Sequence, residues 1–498
     1  MSNIRVTYSG LISLSIAIST IFTGLIFMLI VTRTLSQDDF GTWGVISGIL
    51  PFVLILEQIV PYWTTREVAR GISSGKTATV TAGMMSSSGI LIFFIIALIV
   101  GYNSDADLNL LLFGVILIPV IYLNRILNAI NIGWKPELAS YGQLVLSVSQ
   151  IPLAILLILT LKLELLGLIL TVFIATLISM SVQIYFARDK LKNKLQFKFL
   201  KQWFKVFWLP TIPTVILLIS KADILIFTLI TTSVSGISFW IAALVITAPI
   251  AHSSLISRSV YAKLLSNASV NVKENLTLVF YFALPFTSLV IVFARPAVFA
   301  LNPLYEIAFL IVIILSFRLF FNTLADVFEK YILGMERVDF DQNSRFKDFL
   351  YSKLFFIPSV RLIQYIIYIS LLIVGLFVLT SQNATEFSLL IYWAMIATIT
   401  TIPTTIYLYI QTRKHLNIGL DIISITKYSL VCIFVFGIVF YLSETYLVYD
   451  ENLVTFLPGL LLYMGIGIVC YLVITYLIDK KTKLLVNAVI NEIKTLIP

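Results

Sequence analysis

Long, predominantly apolar blocks are the feature that most constrains this chain. Residues 78–101 and 453–478 show the pattern, since each is bounded by turn-forming or charged residues. About 20 such residues span the roughly 30 Å of hydrocarbon in a bilayer. The chain is also 59% hydrophobic and 12% charged, whereas soluble domains are about 45–50% apolar. The sequence therefore predicts an all-α integral membrane protein.

The apolar blocks predict about fourteen transmembrane helices. The first block has no typical cleavage site after it and is long enough to span, so we interpret it as a retained helix. The predicted spans are residues 10–32, 43–64, 78–101, 108–130, 139–160, 163–186, 206–229, 234–256, 276–294, 304–330, 360–380, 387–411, 425–444 and 453–478.

The basic residues predict the orientation. With the N-terminus inside, the inner segments hold 28 of the 34 lysines and arginines, Arg361 among them. The outer loops hold Arg33, Lys162 and Arg295. This asymmetry follows the positive-inside rule. We therefore expect a multi-pass protein of the cytoplasmic membrane, with both termini cytoplasmic.

The most basic inner loop divides the chain into similar halves. Asn124-Arg125-Ile-Leu-Asn128 in the fourth span resembles Asn322-Thr-Leu-Ala-Asp326 in the tenth, and transporters often contain such internal repeats. The predicted organisation is an N-terminal six-helix lobe, a basic cytoplasmic linker, a second six-helix lobe, and two additional helices with a cytoplasmic tail: residues 1–187, 188–205, 206–414 and 415–498. Residues 339–358 predict either an interfacial segment or a connecting helix.

Several function classes find no support in the sequence. Gly71–Thr77 resembles a phosphate-binding loop, but it has three residues between its glycines instead of four and follows a transmembrane helix. The cysteines, Cys432 and Cys470, lie inside apolar blocks, and neither histidine belongs to a catalytic motif. The net charge of +9 is spread over short loops. We therefore expect no enzyme activity, cofactor, metal, nucleotide or nucleic acid.

Ionisable residues inside spans are the stronger signal, because each charge at the bilayer centre costs about 2.5–3.5 kcal/mol on insertion scales. Glu57 lies between Pro51 and Pro61, where helix kinks are favoured. It is a candidate coupling site for protons or sodium. The alternative is a carboxyl group that bonds to freed backbone or to a neighbouring helix.

Two equivalent spans each carry a polar face. Arg318, Asn322 and Asp326 recur every four residues in the tenth span, and Asn124, Arg125 and Asn128 occupy the fourth. These faces predict a shared aqueous cavity. Because guanidinium groups bind phosphate in a bidentate manner, an arginine-lined cavity suits a lipid that carries a diphosphate and sugars. The alternative for Arg125, Arg318 and Asp326 is snorkelling to the inner interface.

Three further charged residues are candidates for the cavity mouth. Lys221 and Asp223 interrupt the seventh span, where they either neutralise each other or mark the outer mouth of the cavity. Arg33, just beyond the first span, is a mouth residue or an ordinary loop charge.

Short motifs resemble a known transporter family. Arg33, Leu35, Phe40 and Gly41 match the spacing R-x-L-x-x-x-x-F-G, which is similar to the signature of Wzx-type polysaccharide flippases. These belong to the multidrug/oligosaccharidyl-lipid/polysaccharide (MOP) exporter superfamily. Other segments also resemble that family: Lys221–Asp223, Ser235–Trp240 and Gly334–Arg337.

The resemblance implies a MATE-like fold of two six-helix lobes around a central cavity, with two C-terminal helices added. It also implies export of polyprenyl-(di)phosphate-linked oligosaccharide by alternating access, with Arg125 and Arg318 engaging phosphates or acidic sugars. The partners would be this lipid-linked substrate, membrane lipids, and protons or sodium. The alternative is a cation-coupled small-molecule or multidrug exporter of the MATE type, which Glu57 would serve.

Overall fold

The computed structural model describes residues 19–20, 22–55, 57–69, 71–192, 194–205, 207–257, 260, 264, 271–336, 338, 346–416, 419–480 and 482–483. These residues form helices and connecting turns, with no strand among them. The α-helices are α1 Phe22–Thr34, α2 Gln37–Val53, α3 Ile59–Ala69, α4 Gly75–Tyr102, α5 Leu108–Phe113, α6 Leu117–Trp134, α7 Pro136–Ala154, α8 Glu164–Leu191, α9 Phe197–Lys205, α10 Trp208–Thr231, α11 Ser235–Thr247, α12 Val272–Val292, α13 Ala294–Leu301, α14 Phe309–Gly334, α15 Phe346–Leu350, α16 Lys353–Ser381, α17 Glu386–Leu416, α18 Ile422–Tyr446 and α19 Leu453–Ile478.

Twelve described helices are long and apolar enough to cross a membrane, and they coincide with the third to fourteenth predicted spans. The first predicted span is described from residue 19, apart from residue 21, and its apolar helix is α1. The second predicted span is divided between α2 and α3. The all-helical membrane architecture with about fourteen spans is therefore confirmed.

The second predicted span is not the continuous helix that residues 43–64 suggested. α2 ends at Val53 and α3 begins at Ile59. Pro51 and Pro61 flank the break, and each lacks the N–H that an uninterrupted helix needs at its position. Leu54 still donates to the carbonyl of Leu50 at 3.0 Å. Glu57 therefore lies in a turn between α2 and α3 and not within a helix.

Contacts among the helices divide the chain into two compact units. Unit 1 is Met1–Ile241 with Leu372–Ala384, and unit 2 is Ala242–Leu371 with Thr385–Pro498. In unit 1, α6 packs against α3, α4, α7 and α8. In unit 2, α14 packs along α17, and α18 and α19 pack against α12.

Gly41, from the R-x-L-x-x-x-x-F-G segment, permits a close approach within unit 1. A Cβ atom at this position would lie 1.9 Å from the carbonyl oxygen of Val234 in the α10–α11 turn. Since that neighbour is backbone, it cannot rotate away. Small residues let transmembrane helices approach closely, and the glycine is therefore required for α2 to contact this turn.

In unit 2 the added C-terminal helices are joined to α12 by tyrosines. Tyr471 donates to the carbonyl of Tyr281 at 2.8 Å, and Tyr428 donates to Asp479 at 2.8 Å. The rings of Tyr281 and Tyr428 meet edge to face with centroids 5.1 Å apart. These buried hydroxyl groups have partners, so α18 and α19 are integral parts of this unit.

Candidate functional site

An ion pair with a buried carboxylate occupies the break between α2 and α3. Arg125 on α6 donates to Oε2 of Glu57 at 3.3 Å. The Glu57 side chain is 2% exposed, whereas that of Arg125 is 43% exposed. The carboxylate is thus sealed inside unit 1, while its cation remains accessible. The structure brings together the two residues that the sequence suggested separately for coupling and for substrate.

Glu57 retains an unsatisfied acceptor. Its Oε1 atom is buried and has no hydrogen-bond partner among the described residues. The nearby hydroxyl of Tyr122 donates instead to the carbonyl of Val53, at 2.6 Å, at the end of α2. A buried carboxylate with one free oxygen costs free energy unless a proton, a cation or water completes its shell. The arrangement can therefore accept a proton or a small cation.

Two asparagines of α6, Asn124 and Asn131, form hydrogen bonds with Gln183 of α8. Gln183 donates to Oδ1 of Asn124 at 2.8 Å, and Asn131 donates to the backbone carbonyl of Gln183 at 3.2 Å. Oδ1 of Asn128 is buried and has no partner in the described part of the chain. Asn124 therefore helps to hold α6 against α8, in addition to any contact with a substrate.

A second charged cluster is centred on Arg361 in unit 2. This side chain on α16 is buried, with 5% residue exposure. Its guanidinium donates to Asp326 at 2.5 Å, Asn322 at 3.1 Å, Glu329 at 3.2 Å and Gln364 at 3.4 Å. Asn322 and Asp326, which the sequence placed on a cavity wall, thus lie against α16 and bind its arginine.

Arg318 lies on the same side of α14 but outside that cluster. It is nine residues beyond Phe309, about 14 Å along the helix at 1.5 Å per residue. Its guanidinium lies over the ring of Tyr368 on α16, 5.5 Å from the centroid. Among the described residues it forms no ion pair with a carboxylate. An intramembrane cation of this kind can bind an anion without first breaking a salt bridge.

The remaining candidates lie in different surroundings. Lys221 is exposed and Asp223 is 5% exposed, although they are two residues apart on α10. Arg33 is half-buried near the end of α1. No cluster of three or more histidine, cysteine, aspartate or glutamate side chains suited to a metal occurs in the described ranges.

Sequence reasoning missed Arg361, Glu329 and Gln183. Arg361 was counted only as one of the basic residues of the inner segments. The available signal was the spacing of Asn322, Asp326 and Glu329 at i, i+4 and i+7. That spacing places them on one helical face and predicts a cationic partner on a neighbouring helix.

Several predicted segments lie partly outside the described residues, and the tail after residue 483 is one of them. Residues 339–345 of the 339–358 segment are not described, and α15 is the first described helix after them. Arg337, which ends the Gly334–Arg337 segment, also lies outside the described residues.

Comparisons with known proteins support the fold. No protein-family model and no curated protein matches the chain at the significance required. A solved multidrug resistance MATE family transporter of the MOP superfamily, in an inward-facing conformation, matches 81% of this chain and 98% of its own, with a TM-score of 0.57 and 12% identity.

Two further solved structures are also similar. A MATE protein in complex with MaL6 and a MATE protein in the straight conformation each have a TM-score of 0.51 and 13% identity, over 83% of this chain and 96% of theirs. At such identities the likeness establishes the fold alone. The chain is therefore a multi-pass membrane protein with the fold of these MATE transporters.

Proposed function

We propose that the chain is an alternating-access flippase for polyprenyl-(di)phosphate-linked oligosaccharide, acting in the cytoplasmic membrane with both termini cytoplasmic and without enzymatic activity. The observation that carries this proposal is Arg318, an intramembrane guanidinium with no carboxylate ion-pair partner among the described residues. A phosphate group supplies the anion that such a cation lacks, in bidentate geometry. The MATE-like fold and the signature around Arg33 support the same proposal.

Arg125 is the candidate phosphate contact within unit 1 in this proposal. Its one hydrogen bond to a described residue is to Glu57, and 43% of its side chain is accessible. An anionic substrate therefore competes with Glu57 for the same guanidinium. When the substrate binds Arg125, Glu57 loses its counter-charge and takes up a proton or a sodium ion.

This competition gives a route for ion coupling. When Glu57 takes up the cation, Arg125 is free to bind the substrate. When Arg125 returns to Glu57, the cation and the substrate are both released. The scheme needs no nucleotide. In it the cation binds Oε1 of Glu57, which is buried and has no hydrogen-bond partner among the described residues. The lobes 1–187 and 206–414, joined by the linker 188–205 and followed by 415–498, are the proposed organisation for the movement.

The second candidate is a cation-coupled small-molecule exporter of the MATE type. Glu57 favours it, because a sealed carboxylate with one free oxygen serves cation coupling whatever the substrate is. The two candidates differ in what Arg318 does. A lipid-linked phosphate needs this guanidinium, whereas a cationic drug would be repelled by it.

The test is depletion of the protein in its own cells, followed by measurement of which membrane leaflet holds lipid-linked oligosaccharide. We expect accumulation on the cytoplasmic leaflet that wild type and Phe317→Ala reverse and Arg318→Ala does not. Phe317 is the matched control because it precedes Arg318 on α14 and is 46% exposed. Membrane levels of all three proteins are measured by immunoblot. An unchanged lipid distribution after depletion would refute the flippase and leave the small-molecule exporter.

A further inference from the structure

The linker between α8 and α10 contains a short helix with three distinct faces. Phe199 and Trp203 are four residues apart in α9 and share one face. They are 6% and 0% exposed, and their rings stack with centroids 6.0 Å apart. This face packs into unit 1 against six buried residues of α3, α4 and α6: Ile59, Val60, Ala78, Ala82, Ile126 and Ala129.

Polar contacts fix α9 in this position. The indole N–H of Trp203 donates to Oε1 of Glu67 on α3 at 2.9 Å. Just before the helix, the backbone N–H of Gln196 donates to the hydroxyl of Thr77 on α4 at 3.0 Å. The orientation of α9 is therefore set by protein contacts, and so are the directions of its other two faces.

The second face is apolar and exposed. Phe197 and Phe204 are seven residues apart, two helical turns, and are 74% and 42% exposed. Leu195, just before the helix, is 44% exposed. Large apolar side chains at these levels of exposure are unfavourable against water and favourable against the acyl-chain boundary of a bilayer.

The third face is basic. Lys198 and Lys201 are exposed, and they adjoin Phe197 on the helix. The whole linker 188–205 has seven lysines and arginines, and its one acidic residue, Asp189, is paired with Lys192 at 2.9 Å. An apolar face flanked by lysines is the arrangement of helices that lie in the plane of an anionic membrane surface.

We infer that α9 binds the anionic lipid headgroups of the leaflet on its own side, with Phe197 and Phe204 inserted at the acyl boundary and Lys198 and Lys201 on the phosphates. α9 also packs against α3, which begins just after Glu57, and against α6, which carries Arg125. Ile59 follows Glu57 by two residues, and Ile126 follows Arg125 directly. Lipid binding at α9 therefore braces α3 and α6 around the pair. The inference rests on the linker's own geometry and is independent of the proposed substrate.

The test measures how closely α9 approaches lipid in the full-length protein. Leu195→Cys is labelled with bimane in a Cys470→Ser background, because Cys470 is exposed whereas Cys432 is buried. The protein is placed in nanodiscs of phosphatidylcholine, with or without phosphatidylglycerol, and the acyl chains are brominated to quench the label. The test variant is Lys198→Gln with Lys201→Gln. The control, Lys162→Gln with Lys273→Gln, removes the same charge from exposed positions elsewhere.

We expect phosphatidylglycerol to increase quenching in the parent and in the control, and high salt to reverse the increase. Each lysine removed from α9 should weaken the docking equilibrium roughly fivefold, so the test variant should respond little to the anionic lipid. Equal quenching in both lipids, or a full response in the test variant, would overturn the inference. So would a label that bromolipids quench in neither lipid.

Discussion

Removing the guanidinium of Arg361 should destabilise unit 2 more than any exposed charge substitution. Arg361→Met keeps most of the aliphatic stem and deletes all four hydrogen bonds of this side chain. Breaking a buried ion pair from one side costs about 3–5 kcal/mol. Asp326 and Glu329 are 43% and 25% exposed, so water compensates part of the loss. We therefore expect a loss of about 3 kcal/mol, at the lower end of that range.

Thermal unfolding in detergent measures this loss. A thiol-reactive dye reports the exposure of Cys432, which is 3% exposed within the core of unit 2, in a Cys470→Ser background. For a body of about 150–250 residues, 1 kcal/mol shifts the Tm by about 2–4 °C. Arg361→Met should thus lower the apparent Tm by roughly 6–12 °C. Scan rates are kept identical, because membrane proteins commonly unfold irreversibly.

Two further variants separate the ion pair from general damage. Arg413→Met makes the same chemical change at an exposed position near the end of α17, and it should leave the Tm nearly unchanged. Arg361→Met combined with Asp326→Asn and Glu329→Gln removes the uncompensated carboxylates and should recover much of the loss. If Arg361→Met unfolds at the same temperature as Arg413→Met, the guanidinium does not stabilise this cluster and our reasoning is wrong.

Three other substitutions test separate parts of the structure. Gly41→Ala should lower the folded yield in size-exclusion chromatography, because its Cβ would lie 1.9 Å from the Val234 carbonyl oxygen. Gly437→Ala, where no atom lies within 4 Å of the added Cβ, should leave the yield unchanged. Equal yields of the two variants would contradict the close approach. Glu57→Gln should abolish the response of transport to an imposed proton or sodium gradient in liposomes, and a retained response would exclude this carboxylate from coupling. Trp203→Phe removes the indole N–H that donates to Oε1 of the buried Glu67 and should cost about 1–3 kcal/mol. The same thiol-based unfolding assay, run with a cysteine introduced into unit 1, measures this cost, and a wild-type Tm would show that the bond is dispensable.

The membrane fold was predictable from the sequence because it depends on local composition. Backbone polar groups in lipid need hydrogen-bond partners within the protein, and a regular helix supplies them within its own segment. A block of apolar residues of sufficient length therefore specifies a span without knowledge of its neighbours. The division of residues 43–64 into α2 and α3 was harder to predict from the sequence. Pro51 and Pro61 indicated a distortion of the helix. Prolines are nevertheless tolerated in transmembrane helices when neighbouring helices satisfy the freed backbone groups, and those helices are distant in sequence.

The site was predictable only in part, because the role of an intramembrane charge depends on its partner. Glu57 and Arg125 were both identified from their cost in the bilayer, yet 68 residues separate them, and the sequence did not pair them. Asp326 and Arg318 share one helical face, and periodicity grouped them as one site. The structure separates them, since Asp326 binds Arg361 and Arg318 lies over Tyr368.

The two arginines of unit 2 differ in their partners, which is why the separation matters for function. The guanidinium of Arg361 is already held by the carboxylates of Asp326 and Glu329, so an anion would have to displace one of them in order to pair with it. Arg318 is eight residues from Asp326, about 12 Å along the helix at 1.5 Å per residue, and it forms no ion pair with a carboxylate among the described residues. The same polar face of α14 therefore holds carboxylates that pair with Arg361 and a second cation, Arg318, that can accept an anion. A search for substrate contacts should for this reason begin at Arg318, while substitutions at Arg361 report chiefly on stability.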